Sequence, residues 1–155
     1  SIDLTDGSTG SVYPTIVWND GAYVVAWYDP GATPKGIYAA VIAADGTVQV
    51  PARAISNPGS ARSRYPTMRA LGDRVLFVYA DDRDLNSGYE LYARMVDAKL
   101  DPLSPEQRIT VTTGDSIYPK AAFGPDGNVG ILFRDDRSGQ QHVWFTRLGC
   151  VVPAP

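Results

Sequence analysis

Short apolar runs alternate with polar turns along the whole chain. The most apolar runs cover residues 23–27, 75–79 and 129–133, and they are rich in β-branched and aromatic residues. Short runs of this kind, bounded by turn residues, are typical of buried β-strands. No segment shows the 3.6-residue apolar period of an amphipathic helix. The pattern therefore predicts an all-β fold with almost no helix.

The apolar runs belong to an internal repeat of about fifty residues. Its anchor is Ser-x-Tyr-Pro, which occurs at residues 11–14, 63–66 and 116–119. Each anchor leads into a half-apolar run, a polar turn, the apolar strand and then an aspartate two residues after the closing aromatic residue. A third strand and a weaker fourth strand follow. The repeats are predicted to cover approximately residues 11–56, 63–112 and 116–150.

Four short antiparallel strands in a repeat of this length are typical of one blade of a β-propeller. The order Tyr-Pro, strand ending in an aromatic residue, Asp-x-Arg and then a third strand resembles bacterial β-propeller repeat proteins of the broad sialidase-like and TolB-like group. The resemblance implies a single propeller domain over residues 1–155, with about three four-stranded blades. It is weak for activity, because propellers carry many functions.

The two ends of the chain suggest how such a propeller is completed. The third repeat stops after its third strand, and residues 1–6 are predicted to form a separate fourth strand that completes a blade. Three blades are fewer than the usual four to eight. We therefore expect a homodimer that closes a six-bladed ring. The alternative to the homodimer is that the chain is a piece of a longer propeller. The single cysteine, Cys150, is either a free thiol or a link between chains.

Composition excludes several function classes. The formal net charge is −3, which argues against nucleic acid as the main partner because phosphate binding needs a basic face. No stretch is apolar enough to insert into a membrane. A single histidine, His142, and a single cysteine exclude most catalytic triads and zinc sites. Because the repeat type resembles exported bacterial proteins, we expect a secreted protein. We expect no cofactor other than a candidate calcium ion.

One face of the propeller is the candidate binding surface, because the fourth-to-first and second-to-third connections of every blade lie on it. The candidate ligand-binding residues on this face are Tyr13, Tyr65, Tyr118, Asp29, Asp81, Asp135, Arg83 and Arg137. Tyrosine rings stack on sugars, while aspartate and arginine bond their hydroxyls. The pattern favours carbohydrate or glycoconjugate binding of a lectin-like kind, with a protein ligand second. The alternative is structural: the aspartates bond turn amides and the arginines pair with carboxylates of neighbouring blades.

A calcium loop is the candidate metal site. Asp82, Asp84 and Asn86 place oxygen atoms at alternate positions, which is the spacing of such loops. The loop departs from the pattern because Ala93 stands where the bidentate glutamate belongs, although Glu90 is a substitute. A solvated polar loop is the alternative.

A sialidase-like or glycosidase-like hydrolase is the alternative function. Such an enzyme needs an acid and a base, yet glutamate occurs only at Glu90 and Glu106. Adjacent aspartates, as at residues 81–82 and 135–136, point to opposite sides of a strand. The sequence therefore indicates no catalytic residue and leans against an enzyme. A structural scaffold for protein interaction is the third hypothesis.

Overall fold

The computed structural model describes residues 1–5, 10–57, 62–84, 88–125 and 127–149. These residues form eleven β-strands and no helix, so the all-β prediction is confirmed. Nothing in the described ranges could therefore cross a membrane as an apolar helix.

The strands form three antiparallel sheets, each an up-and-down meander in chain order. Blade 1 contains β1 (Val12–Asn19), β2 (Ala22–Asp29), β3 (Gly36–Ala43) and β4 (Val48–Ala54). Blade 2 contains β5 (Ser63–Leu71), β6 (Arg74–Asp81), β7 (Glu90–Asp97) and β8 (Gln107–Arg108). Blade 3 contains β9 (Ile117–Phe123), β10 (Val129–Asp135) and β11 (His142–Leu148).

Tight turns set the register of the hairpins. In blade 1, Asp20 and Gly21 both have positive φ, 42° and 86°, between the paired residues Asn19 and Ala22. Two positive φ angles in a two-residue loop match the twist of the flanking strands. The Asn-Asp-Gly signal in the sequence thus fixes β1 against β2.

The blades pack face to face. We call the side of a blade that points toward the next blade in the chain its forward face, and the opposite side its back face. In β2, the forward face carries Val24, Ala26 and Tyr28. The back face of blade 2 covers it with Met68, Val75, Phe77, Tyr79, Tyr92 and Val96. The forward face of blade 2 meets blade 3 through Leu76, Val78, Ala80, Leu91, Ala93, Ile117, Ala121, Val129, Ile131 and Phe133.

The first strands of the blades lie innermost, because β1 lies beside β5 and β5 lies beside β9. The second, third and fourth strands follow outward in each sheet. This radial order brings the start of every first strand to one shared region of the molecule, which is where the repeat places its Ser-x-Tyr-Pro anchor.

Blade 3 and the N-terminal residues are where the strands predicted from the sequence can be compared with the structure. Blade 3 has three strands among the described residues. Residues 1–5 form no strand in the single chain, and residue 6 lies outside the described residues. Leu4 instead packs on the back face of blade 1, against a cluster that includes Trp27. A strand needs a sheet edge to pair with, so the completion of a blade by residues 1–6 stays a prediction.

Candidate functional site

Three tyrosines form a continuous row at the starts of the innermost strands. The ring centroids of Tyr13 and Tyr65 are 4.5 Å apart, and those of Tyr65 and Tyr118 are 4.1 Å apart. Tyr13 and Tyr118 are exposed, and Tyr65 between them is half-buried. The structure therefore brings the three predicted tyrosines together on one surface, which we call the tyrosine row.

An irregular backbone sets the direction of these rings. Tyr13, Tyr65 and Tyr118 have positive φ angles of 60°, 55° and 56°. The pairing of the first strand with the second shifts register at the same place in every blade. Positive φ at a bulky residue costs on the order of 1 kcal/mol or more, and bulges of this kind re-aim a side chain. The repeat of this strained conformation in all three blades keeps the tyrosine row in place.

One cation lies beside Tyr118 at the end of the tyrosine row. The guanidinium of Arg134 lies 4.9 Å from the ring centroid of Tyr118. A hydrogen bond with Tyr65 raises the pKa of Tyr118. The row thus offers aromatic faces, hydroxyl groups and a positive charge side by side. Such a mixture suits an uncharged polar ligand with apolar patches.

A second repeated arrangement lies further out on the same edge of blade 2. The Ser63 hydroxyl donates to the buried Asp81 carboxylate over 2.7 Å. The Arg83 guanidinium donates to both oxygens of Asp81 at 2.8 Å, and the Arg83 amide donates at 2.9 Å. Arg83 also stacks on Tyr92, with its guanidinium carbon 4.1 Å from the ring centroid. We call this Ser–Asp–Arg–aromatic arrangement the girdle.

Blade 3 repeats the girdle closely. Ser116 donates to Asp135 over 2.6 Å, and Arg137 reaches both oxygens of Asp135 at 2.7 Å. Arg137 stacks on Trp144 at 4.2 Å. Burial alone raises the pKa of Asp135, but the bonds from Arg137 and Ser116 outweigh it and lower the pKa to about 2. The carboxylate is therefore held ionised.

Blade 1 keeps only part of the girdle, because Pro30-Gly31 replaces the Asp-Arg pair. Ser11 donates to Asp29 over 3.2 Å. The other Asp29 oxygen accepts from the amides of Gly31 and Ala32 at 3.1 and 3.0 Å. This aspartate thus caps a turn.

The eight predicted ligand-binding residues therefore divide into two groups along one edge. The tyrosines form an exposed row, whereas the aspartates are buried and accept bonds from serine, arginine and turn amides. Among the described residues, Arg83 and Arg137 pair with aspartates of their own blades and not with those of neighbouring blades. The geometry favours the structural alternative for the aspartates and arginines, and a direct role for them in ligand binding stays a prediction.

Two polar residues that the sequence did not single out connect blades 1 and 2. Glu106 is nearly buried, where it accepts from the Tyr79 hydroxyl, from Arg83 at 2.6 Å and from the Asn57 amide at 2.9 Å. Burial raises its pKa. Arg94 donates to the Ile55 carbonyl and to the Asn57 side chain. Each occurs in one repeat only, so recurrence in the sequence could not reveal them.

The carboxylates of the candidate calcium loop pair with arginines. Asp82 accepts from the amide and the guanidinium of Arg62 at 2.6 and 2.8 Å. Asp84 and Glu90 both pair with Arg108, at 2.6 and 3.1 Å. Asn86 lies outside the described residues, and within them no three acidic, histidine or cysteine residues cluster as metal ligands. Calcium binding stays a prediction.

Histidine and cysteine each occur once in the sequence, at His142 and Cys150. His142 begins β11 and is exposed, as expected for a surface histidine. Cys150 lies outside the described residues.

Known structures decide the fold. The endo-arabinase from Bacteroides thetaiotaomicron superimposes with a TM-score of 0.67 at 14% identity, over 95% of this chain and 59% of its own length. The GH43B protein of a Bacteroides ovatus xyloglucan PUL gives a TM-score of 0.56 at 17% identity, over 88% of this chain and 30% of its own. Both neighbours are five-bladed β-propellers. The chain is a β-propeller.

The chain spans less than two thirds of either neighbour, 59% of the first and 30% of the second. No family model and no curated protein matches the chain. At such low identity the likeness shows the fold alone. The narrower resemblance to sialidase-like and TolB-like repeat proteins stays a prediction.

Proposed function

We propose that this propeller binds carbohydrate in a lectin-like manner, with the tyrosine row as the stacking surface. The observation that carries the proposal is the contact of three tyrosine rings, two of them exposed, in one row. The strained backbone conformation recurs at each tyrosine, although a regular strand would avoid its cost. Strain that is kept in every repeat points to a use for the ring it positions.

Aromatic rings bind the apolar faces of sugars, while neighbouring hydroxyl and guanidinium groups bond the sugar hydroxyls. Tyr65 and Tyr118 supply hydroxyls, and Arg134 supplies a cation beside them. The spacing of successive rings favours an extended oligosaccharide over a single sugar. The names of the structural neighbours, an endo-arabinase and a xyloglucan PUL protein, support polysaccharide as the ligand class.

A glycoside hydrolase is the second candidate, and the same two neighbours support it. Hydrolysis requires a pair of carboxyl groups beside the scissile bond, one of them with a raised pKa. Asp135 has the opposite shift, and Glu106 has a raised pKa but is nearly buried beneath Tyr79 and Arg83. The described residues therefore support binding better than hydrolysis.

A panel of oligosaccharides that includes arabinan and xyloglucan fragments tests both candidates. Each is titrated by calorimetry, and release of reducing ends is measured in the same samples. We expect saturable binding without turnover. Steady turnover with ordinary enzyme kinetics would replace the lectin proposal by the hydrolase, and no binding to any glycan would leave the protein-interaction scaffold.

Two variants of Tyr118 test whether the ligand binds at the tyrosine row. Tyr118→Phe keeps the ring and removes its hydroxyl, so we expect a loss of affinity of no more than a few-fold. Tyr118→Gly removes the ring, and we expect a loss of about fivefold or more, since stacking on one aromatic ring is worth roughly 1 kcal/mol. Equal affinities for both variants and the unaltered protein would place the ligand elsewhere.

A further inference from the structure

The two outer faces of the three-blade unit differ from its inner faces at matching positions. The repeats align on Asp29, Asp81 and Asp135, which pair with the first residue of each third strand. Each position of a blade therefore has a counterpart in the other two. Exposure can then be compared position by position between the free faces and the two packed interfaces.

The forward face of blade 3 is open, and it exposes apolar side chains beside Arg134 and Arg147. Val143 is 77% exposed and Phe145 is 65% exposed. Their counterparts in blade 2, Leu91 and Ala93, are buried against blade 3. Apolar positions that are packed between blades 2 and 3 are thus exposed on the forward face of blade 3.

The back face of blade 1 also exposes apolar side chains. Ile16 is 62% exposed, whereas its counterparts Met68 and Ala121 are buried. Trp18 is 50% exposed and packs edge-on to Tyr23, with ring centroids 4.7 Å apart. A free back face at one end therefore accompanies a free forward face at the other.

Two details on these faces indicate a protein neighbour. On the back face of blade 1, the buried indole nitrogen of Trp27 has no hydrogen-bond partner among the described residues, whereas Tyr79 at the same position of blade 2 donates to Glu106. Blade 3 carries a groove of about 410 Å³ whose floor includes Ala122, Gly130 and Phe145. A groove of that volume admits one aromatic side chain.

We infer that a second copy of this chain covers both faces, with the forward face of blade 3 packed on the back face of blade 1 of the other copy. An identical partner offers one face of each kind, and the same forward-to-back packing already occurs twice within the chain. Two such junctions related by a twofold axis close a ring.

The closed ring has six blades, one more than the five of the structural neighbours. Propellers accommodate four to eight blades of the same type by a small change in the angle between blades. At each junction Tyr13 of one copy follows Tyr118 of the other, so the tyrosine row continues around the ring. The site in a single copy is therefore half of the complete one.

The solution mass measured by light scattering after size exclusion tests this inference. We expect twice the 16.7 kDa mass of the chain, with or without reductant. Phe145→Asp alters the forward side of the junction and Tyr23→Asp alters the back side, so each is expected to give a folded monomer by circular dichroism. Leu103→Asp is the control, because Leu103 is exposed on blade 2, which has no free face, and it should remain a dimer.

Mixing the two monomeric variants tests the head-to-tail arrangement itself. A ring of one Phe145→Asp copy and one Tyr23→Asp copy carries both changes at one junction and none at the other. We expect the mixture to form a heterodimer that neither variant forms alone. A monomeric unaltered chain, an open polymer, a dimer lost on reduction, or a mixture that stays monomeric would each overturn the inference. None of these outcomes depends on whether glycans bind.

Discussion

The tyrosine row and the girdle recur equally well in the sequence, yet they have opposite surroundings in the structure. The tyrosine rings contact each other and face solvent, on a backbone held at positive φ. The girdle aspartates are buried, and each is bonded by a serine from the preceding strand. Recurrence in the sequence therefore identifies residues that every blade uses, either for its structure or for its surface. The residues available to a ligand are identified by their exposure and by polar groups that are not already bonded.

The largest expected effect is on the girdle. Asp135→Ala leaves Ser116 and Arg137 without their acceptor, so we expect the free energy of unfolding to fall by about 3 kcal/mol. Urea denaturation measures it. Asp29→Ala is the matched control. Asp29 accepts from a serine and two turn amides, and blade 1 has Pro30-Gly31 where blades 2 and 3 have the Asp-Arg pair. We expect this variant to lose about half as much free energy of unfolding as Asp135→Ala. Equal losses would mean that the arginine adds nothing.

A pH dependence of stability follows from the same residue. The pKa of Asp135 is lowered from 3.8 to about 2 in the folded protein. Its ionised form therefore stabilises the fold above about pH 4, and that stabilisation, on the order of 2 kcal/mol, is lost as the pH falls toward 2. Asp135→Asn should flatten the unfolding free energy across this range. An unchanged acid profile in this variant would contradict the ion pair.

A smaller effect is expected when the girdle arginine is changed conservatively. Arg137→Lys keeps the charge but loses the two-pronged bond to Asp135 and the stacking on Trp144. Because a lysine replaces the fork by a point charge, we expect a loss of about 1 kcal/mol in the free energy of unfolding. Thermal or urea unfolding measures it, and a fully stable variant would show that charge alone suffices.

The smallest effect on stability is expected in the tyrosine row. Tyr118→Gly removes an exposed ring and relieves the positive φ of 56°, which glycine adopts without strain. We expect the melting temperature to stay constant or rise. A clear fall would mean that the ring contributes to blade packing, and the contrast between the row and the girdle would then disappear.

The sequence predicted the architecture well because the blade is repeated. Three anchors about fifty residues apart place the strands, and the serine and aspartate of each repeat do meet. The left-handed conformation at each tyrosine was not predictable, because a residue before proline is expected to be extended. Arg94 and Glu106 were missed because their partners come from another blade or a distant strand. Such contacts depend on how blades dock, which a repeat pattern does not contain.

The most direct test compares one residue from each arrangement in the same binding experiment. The best-bound oligosaccharide of the panel is titrated by calorimetry against the unaltered protein, Tyr118→Gly and Arg137→Lys. We predict that affinity falls about fivefold or more in Tyr118→Gly and is unchanged in Arg137→Lys, although only the second variant is destabilised. The reverse result, full affinity without the tyrosine and loss without the arginine, would contradict the assignment of the tyrosine row as the ligand surface.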